Sequence, residues 1–285
     1  MTDSGERREI VVGIDPARDW RMALAWAVDE ARRRRCGLRL VAAVPPTRDR
    51  HADGTSHGIA LHQAASEALG AAAAWSLERH PEVEPAVDLV DGLPAQAIGR
   101  LSGQARMIVL GSRHLSRSSE FFSAGSLVVP VTAQARCPVV VVGDAEHVTQ
   151  QPPYLVVGID GSESSKAALA LAFEEADLRG AKLRAVSVWQ APLFLLHDEE
   201  EALQAQRRML AETTAGWTQK YPDVAVTHEV PIGHPVEELA GAAEHALAVV
   251  VGRRGRGGYT GMRLGSVVHG LLHRAHCPVI TVPVP

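Results

Sequence analysis

Gly252-Arg253-Arg254-Gly255 is followed, after nine residues, by Gly265-Ser266, a spacing whose chemistry is the cradling of anions. Glycines let backbone N–H groups approach a phosphate closely, and a helix starting just beyond adds unpaired amide donors and the positive end of its dipole. Both flanking elements can be read. Ala246-Leu247-Ala248-Val249-Val250-Val251 is short, β-branched and bounded by glycine, as a buried parallel strand is. Beyond the loop, Val267, Leu271, Leu272 and Ala275 recur at helical spacing, with Ser266 where an N-cap sits. Arg253, Arg254, Arg256 and Arg263 belong to the same loop, where they are either solvated or neutralise a polyphosphate.

The organisation occurs twice. Val11-Val12-Gly13-Ile14-Asp15 matches Val156-Val157-Gly158-Ile159-Asp160, and His80-Pro81-Glu82-Val83 matches Tyr221-Pro222-Asp223-Val224. Cys137-Pro138-Val139-Val140 matches Cys277-Pro278-Val279-Ile280. A register held that long is an internal duplication. The polar, proline-ended stretch from Asp144 to Pro153 reads as the join, giving domains at 1–148 and 149–285. Each half alternates strands with helices, which predicts two α/β domains with doubly wound, five-stranded parallel sheets. In the second half the strands are expected near Tyr154–Ile159, Lys182–Trp189, Val224–Val230, Leu247–Gly252 and Pro278–Val284. In such a sheet ligands sit beyond the carboxyl ends of the strands where chain order reverses, and Asp160 and Gly252 lie at those ends.

Val156 to Ser162, the loop Gly252-x2-Gly255-x9-Gly265-Ser266 and the closing Ala275-His276-Cys277-Pro278-Val279-Ile280-Thr281-Val282 together resemble the universal stress protein family in its tandem form. The resemblance covers essentially the whole chain. It implies an adenine nucleotide alpha hydrolase-like, Rossmann-like fold and, for the ATP-binding branch, a nucleotide-dependent regulator of stress or dormancy physiology that is not a dedicated catalyst, with ATP, possible Mg²⁺, a homodimer and a regulatory protein partner. Carried over residue by residue, Asp160 meets the ribose or phosphate region and Val188 lies beside adenine. Gly158, Gly252, Arg253, Gly255, Arg256, Gly265, Ser266 and Val267 complete the nucleotide site, with Gly13, Asp15, Gly111, Gly125 and Ser126 as first-half counterparts. Asp160-Gly161-Ser162 also suits a plain Asx turn.

The first half departs from the pattern at the site itself. Gly161-Ser162 is replaced by Pro16-Ala17, the second loop glycine by His114, and Phe121-Phe122 adds bulk inside a longer loop. A weaker or empty first site is expected, beside an intact second one.

The rest of the chain narrows the function classes. A formal net charge of −4 argues against nonspecific nucleic-acid binding. Arg32-Arg33-Arg34-Arg35 falls at the end of the first predicted helix, where cations suit the dipole. Cys36, Cys137 and Cys277 have no metal-type spacing and read as small buried thiols. His269, His273 and His276 have a spacing able to hold zinc, without the glutamate of a metalloprotease motif. No lysine follows a glycine loop and no Gly-x-Ser-x-Gly elbow occurs, which removes the P-loop NTPases and the common serine hydrolases. With neither a secretory signal nor a membrane-length apolar run, the expected location is the cytoplasm. A slow ATP hydrolase or nucleotidyl-transfer enzyme using Asp160 to hold Mg²⁺, and a nucleotide-free scaffold for protein partners, remain as alternatives.

Overall fold

The computed structural model describes residues 9–46, 52–112, 127–143, 147–190, 199–256 and 264–284. They form two compact units, the first from the described residues up to 143 and the second from 147 onward.

The first unit runs β1 (Ile10–Gly13), α1 (Arg21–Arg34), β2 (Leu38–Val44), α2 (Ala52–Arg79), β3 (Pro85–Asp91), α3 (Pro94–Leu101), β4 (Met107–Ser112), α4 (Val128–Gln134) and β5 (Val139–Gly143). Its strands pair in parallel in the order β3-β2-β1-β4-β5. The second unit repeats this with β6 (Tyr154–Gly158), α5 (Glu163–Arg179), β7 (Lys182–Val186), α6 (Glu199–Lys220), β8 (Val226–Glu229), α7 (Pro235–Ala242), β9 (Val249–Gly252), α8 (Ser266–Arg274) and β10 (Val279–Val282). Its parallel order is β8-β7-β6-β9-β10. Valine runs such as Val249-Val250-Val251 are buried throughout, because a parallel sheet with crossover helices on both faces leaves neither face to water. β3 alternates with exposed positions instead, and β8 exposes Thr227 and His228 side by side. In both units the chain goes from the first strand to one neighbour and later returns to the other, which opens a crevice at the strand ends.

The second-half strands lie where expected but are shorter. β7 ends at Val186, and Trp189 makes only an isolated bridge to Ile232. Helix starts differ more. Ser162 caps α5, its hydroxyl accepting from the Ser165 N–H at 3.2 Å, whereas α1 begins later in the repeat, after Trp20, with no side-chain cap. Pro16-Ala17 removes the serine that caps α5, and Trp20 packs edge-on against Trp75 of α2, their centroids 6.3 Å apart. Asp19 Oδ1 accepts from the Arg21 N–H at 3.0 Å, so a local bond and the tryptophan contact meet at the start of α1.

The arginine run at the end of α1 is absorbed by ion pairs. Arg34 bonds the fully buried Glu30, and Arg32 meets Glu82 at 2.9 Å. Glu175 and Arg179 repeat the buried pair in α5. Cys137 and Cys277 are buried, while Cys36 is half-exposed rather than buried. Burial pushes the Cys277 thiol up to about 12, so almost no thiolate exists there at neutral pH. Alkylation of the folded protein at pH 8 is therefore expected to modify Cys36 first and leave Cys277 unmodified until denaturant is added; peptide mass mapping reads the order.

Candidate functional site

Three strand ends meet in the second unit. β6 leads into Ile159 and Asp160, β7 into Val188 and Gln190, and β9 into Gly252 to Arg256. With Gly265 to Val268 at the start of α8, and Pro235 and Leu239 of α7, they line a cleft of about 330 Å³. Gly158, Val186, Val188, Leu239 and Val251 give it an apolar wall, while Asp160, Arg254 and Arg256 supply charge.

Asp160 ties the loop after β6 to the loop after β9. Its Oδ1 accepts from the Ser162 N–H at 3.0 Å and the Ser162 hydroxyl at 2.6 Å, and its Oδ2 accepts from the Arg256 N–H at 2.9 Å. The Asx turn and the cleft position thus coexist in one residue. Burial pushes this carboxyl up, but the donors from Ser162, Arg256 and Ser165 outweigh it and hold its pKa below the ordinary 3.8. Asp160 is a carboxylate at neutral pH, with lone pairs beyond those its partners use. Gly161 lies at φ +76°, and the Arg256 guanidinium packs so close that an added Cβ would sit 2.6 Å from Nη2. An added Cβ on Gly255 would similarly sit 2.5 Å from Asp160 Oδ2.

The helix cap differs from expectation in a way that matters for anions. Gly265, not Ser266, is the N-cap of α8, and Ser266 is its first helical residue. A serine cap spends its hydroxyl on the first-turn amides, as Ser162 does in α5, whereas a glycine offers no side-chain oxygen. The amides of Ser266, Val267 and Val268 have no intrahelical acceptor, and the N-cap Gly265 has no side chain to cap them. Val268, not Val267, is the core residue of that turn; Val267 is half-buried on the cleft wall.

Arginine placement also differs. Arg253 does not line the cleft: its N–H bonds Val282 O at 2.8 Å, and burial, with Arg254 beside it, holds its guanidinium below the ordinary value. Arg254 and Arg256 line it instead. Both arginines lie in the bend after β9, and nothing in their types separates Arg254 from Arg253. Ser164, Pro235, Leu239 and Gln190 were missed because nothing in their types marks them. Ser164 earns its place through bonds: its buried hydroxyl donates to Val282 O at 3.2 Å and accepts from the Arg254 N–H at 3.4 Å.

The first unit has a corresponding cleft, also about 330 Å³, lined by Gly13, Asp15, Arg18, Trp20 and Gly111. Here Asp15 accepts from the Ala17 N–H at 3.0 Å and pairs with the Arg18 guanidinium at 3.1 Å. The cation that neutralises this carboxylate comes from its own loop. Gly125 and Ser126 lie outside the described residues, as do His114, Phe121, Phe122 and Arg263. The His269 and His273 rings meet edge-on with centroids 4.8 Å apart, but no group of three or more possible metal ligands occurs among the described residues. No described helix is long and apolar enough to cross a membrane.

The universal stress protein family model matches residues 6–143 and again 154–283. A universal stress protein of Mycobacterium bovis is 33% identical over 302 residues, covering 98% of each chain. Another, of Mycobacterium tuberculosis, is 33% identical over 296 residues, again covering 98% of each. Among solved structures, a universal stress protein from Archaeoglobus fulgidus has a TM-score of 0.72 at 17% identity, over 98% of this chain and 97% of that one. That likeness is one of fold, a Rossmann-like α/β architecture. With two family matches along its length, the chain belongs to the universal stress protein family and carries two such domains in tandem.

Proposed function

We propose that this protein is a cytoplasmic, homodimeric regulator that binds ATP in the cleft of its second unit. The observation that carries the reading is the uncapped start of α8 in the same cleft as Arg254, Arg256 and an apolar wall. First-turn amides and guanidinium groups can only donate, and their combination suits a polyphosphate. Val186, Val188, Leu239 and Pro235 offer the flat apolar contact a base needs, and Asp160 can accept from ribose hydroxyls or help hold Mg²⁺. These residues fit the ligand. Gly158, Gly252, Gly255, Gly265, Ser266 and Val267 belong to this site, and Arg254 replaces Arg253 in it. The Gly13, Asp15 and Gly111 cleft is a weaker site, because Arg18 already occupies the Asp15 carboxylate.

Isothermal titration of the nucleotide-stripped protein tests this, with one tight ATP site per chain as the expected result. Two equally tight sites would overturn the asymmetry between the units, and no heat of binding would overturn the nucleotide reading. ATP turnover faster than about 1 per second would replace a regulator with an enzyme.

A further inference from the structure

The two units differ by a coordinated pair of residues behind the cleft, one buried and one half-buried. In the second unit Ser187, fully buried, donates its hydroxyl to Ile159 O at 2.6 Å and accepts from Gln206 Nε2 of α6 at 2.7 Å. Ile159 immediately precedes Asp160, and Ser187 immediately precedes Val188. One hydroxyl therefore joins the chain positions that set the carboxylate and the apolar wall.

In the first unit both polar partners are replaced. Ala42 stands on β2 where Ser187 follows β7, in the same register that equates Asp15 with Asp160. Ala65 stands on α2 where Gln206 stands on α6, each four residues before a buried leucine, Leu69 or Leu210. Both alanines are 1% exposed. Replacing both partners of a buried hydrogen bond by apolar groups is close to neutral for stability, and the first unit shows that the fold accepts the apolar version. What a satisfied buried polar pair adds is a single geometry. In the second unit that geometry is the spacing between Asp160 and Val188.

We infer that Ser187 and Gln206 are positioning residues that set the adenosine half of the second-unit site and leave its phosphate half alone. The inference rests on the nucleotide reading above and deepens it. Most of the phosphate half comes from other elements, Gly265 and the first turn of α8 with the arginines after β9, joined to Asp160 through the Arg256 N–H, so loosening Ile159 and Ser187 should act first on base and ribose contacts.

The test installs the residues of the first unit in the second. Full-length Ser187→Ala/Gln206→Ala is compared with wild type by calorimetry, using ATP and inorganic triphosphate as separate probes. The expected result is about a tenfold loss for ATP with triphosphate affinity unchanged. Equal losses for both probes would mean general loosening and would overturn the inference, as would no loss for either. Should the double variant fail to fold, Gln206→Ala alone must show the same selective loss in smaller measure, or the inference falls. A wild-type protein that binds triphosphate but shows no preference for ATP would overturn the nucleotide reading itself, a result visible before any variant is made.

Discussion

Asp160→Ala is expected to weaken ATP binding about a hundredfold, whereas Asp15→Ala should leave the tight site unchanged. Asp160 accepts three hydrogen bonds from two loops. Its removal strands the Arg256 N–H, and the loop carrying Arg254 and Arg256 loses its tie to the loop after β6. A charged acceptor of this kind is worth about 1.5–3 kcal/mol. Asp15 in contrast holds its own neighbour Arg18, with both side chains about a third exposed, at 35% and 32%, and such pairs contribute about 0–1 kcal/mol. Calorimetry on the two variants separates the units directly. The same carboxylate sets a pH dependence. Its folded pKa lies below 3.8, so its stabilisation is fully present above that value and is lost as pH falls through the lower folded value. Wild type should therefore lose stability more steeply than Asp160→Asn on acidification below about pH 4, measured by urea midpoints across that range. Parallel loss in the two proteins would show that Asp160 contributes nothing to the acid limb.

Much of this was legible because it rests on patterns that local physics enforces. Valine runs such as Val139 to Val142 and Val249 to Val251 can only be buried strands, and the Gly13-Ile14-Asp15 and Gly158-Ile159-Asp160 repeats place carboxylates at matching strand ends. The misses are of another kind. Serine is a favoured cap, so the sequence points to Ser266 for α8, yet Gly265 fills the position, and a glycine cap leaves no side-chain signature. Val267 and Val268 differ by one position of helical phase, and two adjacent valines cannot reveal which one faces the core. Ser187 and Gln206 are distant in sequence and ordinary in type; only the fold brings them to 2.7 Å. The late start of α1 coincides with Trp20 meeting Trp75, a contact that no local rule contains, and with the local bond from the Arg21 N–H to Asp19 Oδ1.

Gly111 and Gly252 show the same limit and lead to the other large effect. Both follow the fourth strand's valine or leucine run in their half, and the sequence treats them as equivalent turn glycines. The structure separates them. A Cβ on Gly252 would lie 2.6 Å from the Ser164 carbonyl carbon and 2.7 Å from its oxygen, whereas a Cβ on Gly111 would meet Ala23 Cβ at 3.7 Å and Asp19 O at 3.9 Å. The difference comes from the helix starts. α5 begins at Glu163, so Ser164 sits in its first turn against the end of β9; α1 begins at Arg21, so Asp19 still belongs to the preceding loop. Backbone atoms in a helix cannot step aside as a side chain can. Gly252→Ala should accordingly destabilise the protein by about 3 kcal/mol, the upper end of overpacking costs, and abolish ATP binding, because Ser164 positions the Arg254 N–H and the loop that follows. Gly111→Ala should cost less than about 1 kcal/mol, since its new methyl group makes only ordinary contacts. Urea denaturation of both variants, followed by ATP titration, checks the pair. Similar destabilisation by the two alanines would show that the end of β9 is not pressed against α5, and the asymmetry between the clefts would then need another origin.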